Sequence, residues 1–205
     1  KREMVGLLDK IPHFLHQFLE AEETDQIAKG LCAAFCHLFS LDEAGVWLRE
    51  KDAWVLAARK GLGACPAEAR TPLKAGKIGH VAQAAKPLLR EDFDRTSGLE
   101  RARIQETQEA WDDFDLYVPL GTRSGVAEGV VVCQAQTRGQ LASAAPLANI
   151  LGALGALTLR NLEQRRRFRE LAELDFLTGL PSRMAFFKRL ESLLDPAREL
   201  DFFFL

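Results

Sequence analysis

Apolar residues recur every three or four positions through the first forty residues, which is the spacing of one face of an α-helix. Pro12 predicts a kink or a break in the first of these segments. Thr24 is a suitable N-cap for a second helix. The apolar face of that helix is formed by Ile27, Ala28, Leu31, Phe35, Leu38 and Phe39. Two helices that each bury one face are therefore expected before the first strand.

The pattern then changes to short apolar segments separated by polar turns. Residues 44–49 and 54–59 are typical of two strands, and the short connection between them suits a β-hairpin. Residues 115–121 and 126–136 predict a second pair of strands. Pro119 lies inside the third of these strands and indicates an edge position or a bulge.

The remaining segments are predicted to be mixed or helical. Residues 71–92 fit a short strand, a glycine-marked turn, a short helix and another short strand. Ser97 is a candidate cap for a helix that runs to about Trp111, and a closing helix is expected from near Ser143 to about Leu174. Neighbouring strands joined by short turns imply a mainly antiparallel sheet, with helices from both ends of the chain covering its faces. The predicted class is an α+β sandwich.

One uncharged segment has the length of a membrane span. It runs from Leu141 to Leu159 and is followed by Arg160. Ser143, Pro146, Asn149, two glycines and many alanines make its transfer into lipid weakly favourable for its length. The segment is therefore interpreted as a helix that is buried by a sheet on one side and by a partner on the other.

Composition and charge narrow the class of protein. Hydrophobic residues make up 47% and charged residues 27% of the 205-residue chain, as in ordinary soluble globular proteins. A net charge of −2 gives no electrostatic reason to expect nucleic-acid binding. The four cysteines are scattered and are interpreted as reduced thiols. A cytoplasmic protein that binds neither nucleic acid nor membrane is expected.

A first family resemblance lies in the middle of the chain. It is carried by Gly76, Gly79, Val81, Ala82, Pro87, Leu88, Leu89 and Asp92, together with Tyr117-Val118-Pro119-Leu120 and Gly129-Val130-Val131-Val132. This order of a Gly-x-x-Gly turn, a helix, a Lys-Pro pair and a strand ending in aspartate resembles a GAF domain. Ala85 stands where a glycine is common in the family. The resemblance covers residues 1–160 and implies a GAF/PAS-like antiparallel sheet flanked by helices, with a long C-terminal linker helix and a role in sensing signals.

A second resemblance follows the closing helix. Its residues are Asp175, Leu177, Thr178, Gly179, Leu180, Pro181 and Arg183. They resemble the motif that opens GGDEF domains, with Ser182 in place of the usual asparagine. The resemblance implies a linker helix at 161–174 and the truncated start of a GGDEF domain at 175–205. The parent protein is then expected to be a diguanylate cyclase that makes cyclic di-GMP from GTP with Mg²⁺.

The carboxylates and the Gly-Gly-Asp/Glu-Glu-Phe hairpin of the family are not among the 205 residues. Joining two nucleoside triphosphates needs carboxylates that hold divalent metal ions against the phosphates. This chain by itself is therefore expected to be inactive, with no catalytic residue, metal or cofactor of its own.

The closing helix carries a second pattern. Apolar residues that step by three and four form a near-heptad seam at Ile150, Leu154, Leu157, Phe168 and Leu171. Asn161 and Gln164 interrupt the seam with polar groups. Gly152, Ala153, Gly155 and Ala156 would let a second helix approach closely. The seam favours a homodimer, because two cyclase sites must meet to make a cyclic dinucleotide; the alternative is a helix that packs only on its own sheet.

A ligand pocket, where a small molecule would bind, is expected between the sheet and the segment 76–115. Aromatic and imidazole side chains are candidates to line it: Trp47, His80, Phe93, Trp111, Phe114 and Tyr117. The alternative for each is that it fills the core. The ligand itself is not identified by the sequence.

Two pairs of residues could suggest other chemistry but have simpler interpretations. Cys36-His37 lies in a helix, the wrong element for the bilin attachment of phytochrome-type GAF domains, and His13 with His16 has no third metal ligand at a suitable spacing. Two alternative functions stay open: a structural dimerisation module without ligand, and an enzyme similar to the GAF-type methionine sulfoxide reductases. The second would depend on Cys65, the only loop cysteine.

Overall fold

The computed structural model describes residues 11–61, 63, 65–121, 127–135, 140–173 and 180–194. The chain divides into two compact units, Lys1–Arg160 and Asn161–Leu205. The helices are α1 (Ile11–Glu20), α2 (Thr24–Phe39), α3 (Gly76–Ala84), α4 (Arg90–Asp94), α5 (Gly98–Thr107), α6 (Gln140–Glu173) and α7 (Arg183–Leu194). The strands are β1 (Glu43–Glu50), β2 (Ala53–Lys60), β3 (Arg70–Pro72), β4 (Leu88–Leu89), β5 (Leu116–Leu120) and β6 (Gly129–Gln134).

The six strands form one antiparallel sheet in the order β3-β2-β1-β6-β5-β4. The predicted first hairpin is present, and Glu50 pairs with Ala53 across a two-residue turn. β1 and β6 are the two central strands, so the first hairpin pairs with the last strand of the sheet. This arrangement confirms the predicted α+β class and the antiparallel sheet flanked by helices.

Pro119 occupies the edge position that the sequence indicates. β4 pairs only with Leu116 and Tyr117, so β5 has no neighbour on that side at Pro119. A missing N–H is tolerated at such a position because no ladder hydrogen bond is lost there.

The N-cap of helix α2 lies one residue before the predicted one. Glu23 is the N-cap, and Thr24 is the first residue of the helix. The side-chain oxygen Oε1 of Gln26 accepts hydrogen bonds from the backbone N–H groups of Glu22 and Glu23, at 2.9 and 3.2 Å. A glutamine three residues after the cap satisfies N–H groups that would otherwise be unpaired, and this signal locates the helix start better than Thr24 does.

Helix α5 is shorter than predicted. It ends at Thr107, not near Trp111, and Gln108 is already extended. The Thr107 hydroxyl donates to the Arg103 carbonyl oxygen at 2.9 Å and accepts the N–H of Gly76 at 2.9 Å. Thr107 thus connects the end of α5 to the start of α3, and Trp111 lies in the loop that follows α5.

Both faces of the sheet are buried. On one face, α6 packs closely on β5. A Cβ atom at Gly152 would lie 2.8 Å from the Pro119 carbonyl oxygen and 2.9 Å from Val118 Cγ1. Helix α2 covers the neighbouring strands, with its buried residue Leu31 reaching Gly155 of α6. On the other face, a second core contains Trp47, Trp54, Ile78, Val81, Phe93, Phe114, Tyr117, Val130 and Val132.

Helix α6 begins at Gln140, before the predicted start near Ser143. The expectation that Gly152 and Gly155 admit a second helix is wrong, because both glycines contact the chain's own sheet and α2. Within the described residues, no helix is both long enough and apolar enough to cross a membrane.

The second unit contains the end of α6 and helix α7. The Ser182 hydroxyl oxygen accepts the N–H of Ala185 at 3.2 Å, which makes it a side-chain cap for α7. Of the residues in the predicted opening motif, Leu180 and Arg183 are described, whereas Asp175, Leu177, Thr178 and Gly179 lie outside the described residues.

Candidate ligand-binding site

An aromatic cluster forms the centre of the second core. Trp47 of β1 and Trp111 stack face to face, with ring centroids 4.9 Å apart and an angle of 5° between the planes. Phe93 and Phe114 both contact Tyr117 edge to face, at 5.2 and 5.8 Å. The six side chains predicted to line a pocket are thus on one face of the sheet, since His80 packs on Phe93 at 5.7 Å.

Asp112 is a buried carboxylate beside this cluster. Its Oδ2 accepts the backbone N–H of Lys77 at 2.8 Å, at the start of helix α3. Burial raises the pKa of Asp112 to about 6, against the opposing effect of the Lys77 N–H and the neighbouring Tyr117 hydroxyl. The other carboxylate oxygen, Oδ1, has no hydrogen-bond partner in the described part of the chain, and neither has the buried indole Nε1 of Trp47.

The loop that carries Asp112 is held at several points. The Phe114 N–H donates to the Tyr117 hydroxyl at 2.9 Å, and the Asp112 N–H donates to the Glu109 carbonyl oxygen at 2.9 Å. The Gln108 side chain donates to the Asp112 carbonyl oxygen. These hydrogen bonds hold the backbone of the loop and therefore fix the position of the Asp112 side chain.

A charged cavity lies next to the cluster, between α4 and α5. We call it the α4–α5 cavity; its volume is about 230 Å³, and its walls are Lys77, Arg90, Phe93, Asp94, Arg101, Ile104, Gln105, Gln108 and Asp113. Three of these side chains are cationic and two are carboxylates. Phe93 and Ile104 give it an apolar wall.

Ion pairs connect the charged walls of the cavity. Asp113 pairs with Lys77 through Oδ1 and with Arg90 through Oδ2, the latter at 3.2 Å from Nη1. Lys77 Nζ also lies 5.4 Å from the centre of the Phe93 ring. Arg101 Nη2 lies 3.2 Å from Asp94 Oδ1. One half-exposed carboxylate, Asp113, thus serves two cations.

A second cavity of about 520 Å³ lies on the other side of α4. His80 lines it and pairs with Glu100, with 3.2 Å between Nδ1 and Oε1. Phe93 lines the α4–α5 cavity, whereas Trp47, Trp111, Phe114 and Tyr117 line neither of these two cavities and belong to the core. The sequence did not single out Lys77, Arg90, Asp112 or Asp113. The pair of acids between Trp111 and Phe114 is the one signal that could have indicated Asp112 and Asp113.

The cysteine and histidine candidates have structural surroundings. Cys65 is buried, and burial raises the pKa of its thiol, which reduces the reactive thiolate. Cys36 is buried in α2. His16 is exposed and lies 3.1 Å from Glu20. No group of three or more metal-ligating side chains occurs in the part of the chain that the structure describes.

Two comparisons by sequence find no match. No protein-family model matches the chain, and a search of curated proteins finds no match. The similarity of this chain to known proteins is therefore a similarity of fold.

Solved structures share this fold. The GAF domain of an Acinetobacter phosphoenolpyruvate-protein phosphotransferase is 17% identical, with a TM-score of 0.59 over 77% of this chain and 94% of that chain. The A. aeolicus nlh2 GAF domain in an inactive state is 12% identical, with a TM-score of 0.57 over 77% and 98%. Free methionine-R-sulfoxide reductase from Neisseria meningitidis, in complex with its substrate, is 15% identical, with a TM-score of 0.58 over 80% and 94%. The chain therefore has the fold of GAF domains.

Proposed function

We propose that this chain is a cytoplasmic sensory GAF domain that binds a small molecule and regulates a C-terminal diguanylate cyclase, which makes cyclic di-GMP from GTP. The observation that carries the proposal is helix α6, which has one face on the sheet and a second, apolar face in solvent. A helix with two such faces can connect a change in the core to the packing of a dimer.

The inner face of α6 is in tight contact with the sheet. Gly152 and Gly155 have no side chain, so the helix approaches β5 and Leu31 closely, and a Cβ at either position would lie within 3 Å of another atom. Packed interiors transmit small displacements because they contain few voids. A shift of β5, whose Tyr117 contacts Phe93 of the α4–α5 cavity, would therefore reach α6.

The outer face of α6 presents large apolar side chains to solvent. Ile150 is 52% exposed, Leu157 is 55% exposed and Phe168 is 70% exposed. These residues occupy the seam positions of a heptad pattern, and Leu154 between them is half-buried. Leu171 belongs to the same helix, and its side chain lies outside the described part. A second copy of the helix is the partner that matches a repeated apolar seam, so we assign a homodimer to this face.

The cyclase output is supported by the motif that follows α6. Ser182 stands where the family has asparagine, and its hydroxyl caps α7. Serine and asparagine are both strong N-caps, so this departure keeps the local structure. The Arg183 guanidinium lies 5.8 Å from the Phe187 ring centre. In the parent protein, Mg²⁺ and GTP would bind in the cyclase domain, and a parallel dimer would place two such domains together.

The dimer assignment predicts the effect of a charge in the seam. Leu157→Lys should weaken the dimer at least about tenfold, since each lysine would be desolvated opposite its copy. Sedimentation velocity across a concentration series measures the dissociation constant. In the complete protein the same substitution should lower cyclic di-GMP synthesis.

The matched control is Leu99→Lys, which places the same change on α5 at a leucine that is 90% exposed. It should leave both the dissociation constant and the rate of synthesis unchanged. Equal dimerisation by the Leu157→Lys and wild-type chains would refute the seam.

A further inference from the structure

The α4–α5 cavity limits what kind of molecule it can take. Its volume of about 230 Å³ is below the range of roughly 300–1,000 Å³ that holds drug-sized ligands. A nucleotide is too large for it, whereas an acid of a few carbon atoms is not. Three cationic side chains, Lys77, Arg90 and Arg101, line it against two carboxylates, Asp94 and Asp113, so the net charge of its walls favours an anion.

Asp113 already supplies one anion to this cavity. Its side chain is 47% exposed, whereas that of Lys77 is 10% exposed. Among the described residues it is the one carboxylate that forms an ion pair with Lys77. A half-exposed carboxylate regains much of its hydration when it turns outward, so turning Asp113 away from Lys77 has a small free-energy cost for Asp113 itself. The same rotation leaves the buried Lys77 ammonium without a compensating charge.

Arg90 keeps its place without the Asp113 side chain. Its Nη2 donates to the Asp113 main-chain carbonyl oxygen at 2.8 Å, and its Nε lies 3.4 Å from Asp115 Oδ1. Asp115 is itself held, because its Oδ2 accepts the N–H of Ala135 at 3.0 Å. Rotation of Asp113 would thus leave Arg90 in place and an open position between it and the buried Lys77 ammonium.

We propose that the α4–α5 cavity binds a small carboxylate, whose carboxyl group replaces the Asp113 side chain between Lys77 and Arg90. The inference rests on the proposed sensory function and names the chemical class of its ligand. Arg90 Nη1 and the Lys77 ammonium, which hold the Asp113 carboxylate, would then hold the carboxylate of the ligand by charge-assisted hydrogen bonds. Phe93 and Ile104 form the wall for the carbon skeleton, and Asp113 acts as an internal competitor.

The test compares four sodium salts at equal ionic strength: acetate, succinate, phosphate and chloride. Thermal unfolding and titration calorimetry are measured on the wild-type chain and on Asp113→Asn. The variant should unfold at a lower temperature in chloride, and a carboxylate salt should restore it. Its affinity for the carboxylate should exceed that of the wild type at least tenfold, because the competing group is absent.

Two further variants make the result specific. Arg90→Gln should abolish carboxylate binding, whereas Arg95→Gln, at an exposed arginine just after α4 that does not line this cavity, should keep it. The proposal is overturned if acetate and succinate act no differently from chloride, if Arg90→Gln binds as the wild type does, or if phosphate binds more tightly than the carboxylates.

These outcomes are separate from the regulatory proposal. If carboxylates fail to bind while removal of the sensory domain still changes cyclic di-GMP synthesis, the ligand class is wrong and the regulatory function stands. If carboxylates bind while removal has no effect on synthesis, the site is correct and the regulatory function is wrong.

Discussion

Replacing Gly79 with alanine should destabilise the domain by about 2–4 kcal/mol, although alanine favours a helix over glycine by about 1 kcal/mol. A Cβ atom at this position would lie 2.8 Å from the Leu73 carbonyl oxygen and 2.8 Å from the Lys74 carbonyl carbon. Both atoms belong to the backbone, so neither can rotate away as a side chain does. The Leu73 oxygen also accepts the indole N–H of buried Trp54 at 3.0 Å. Moving that oxygen would break this bond and leave a buried donor unpaired, which costs about 1–3 kcal/mol.

Urea denaturation followed by circular dichroism measures this loss. Gly98→Ala is the matched control, because a Cβ atom there meets nothing within 4 Å and the residue is exposed at the start of α5. It should be neutral or stabilise the domain by up to about 1 kcal/mol. If Gly79→Ala is as stable as Gly98→Ala, the close approach of α3 to the loop before it is wrong.

Replacing Asp112 with asparagine should remove a pH dependence of stability. The native pKa of about 6 is above the ordinary value of 3.8, so the folded state binds the proton more tightly than the unfolded state. The stabilisation is fully present below pH 3.8 and is lost as the pH rises through 6. The difference between a pKa of 3.8 and one of about 6 corresponds to about 3 kcal/mol. Asparagine keeps an oxygen for the Lys77 N–H and carries no charge.

The free energy of unfolding should be measured at intervals from pH 4 to pH 8. Asp112→Asn should become more stable than the wild type as the pH rises, by about 2–3 kcal/mol at pH 8. Asp25→Asn, at an exposed aspartate of α2, is the control for the loss of a carboxylate. Parallel pH profiles for the wild type and Asp112→Asn would show that Asp112 is not a desolvated carboxylate in solution.

The pattern of apolar residues was sufficient to predict the sheet. Strands predicted at 44–49 and 54–59 are observed at Glu43–Glu50 and Ala53–Lys60, because alternation and turn chemistry are local properties of the sequence. The end of α5 was not predicted; the Thr107 hydroxyl accepts the N–H of Gly76 there, from 31 residues away in the sequence. Local periodicity contains no information about such a contact.

The candidate site was predicted less completely than the fold. The aromatic candidates lie together on one face of the sheet, where strand alternation places Trp47 and Tyr117; that they line a ligand pocket stays a prediction. The charged groups were missed because a carboxylate in a sequence is usually solvated. Asp112 is nevertheless buried, and Asp113 pairs with a lysine 36 residues away. Helix α6 was also predicted in part. Its heptad pattern could be recognised in the sequence, whereas the packing of Gly152 and Gly155 on the chain's own core could be recognised only once the position of β5 was known.

Cyclic di-GMP synthesis from GTP by the complete protein is the most direct test of the regulatory role. It should be compared before and after removal of residues 11–139, which leaves helix α6 and its seam in place. The account predicts a changed rate, because the sheet that contacts the inner face of α6 is lost while the dimer seam remains. The same rate in both proteins, with cyclase activity present, would contradict the account and show that this domain does not control the output.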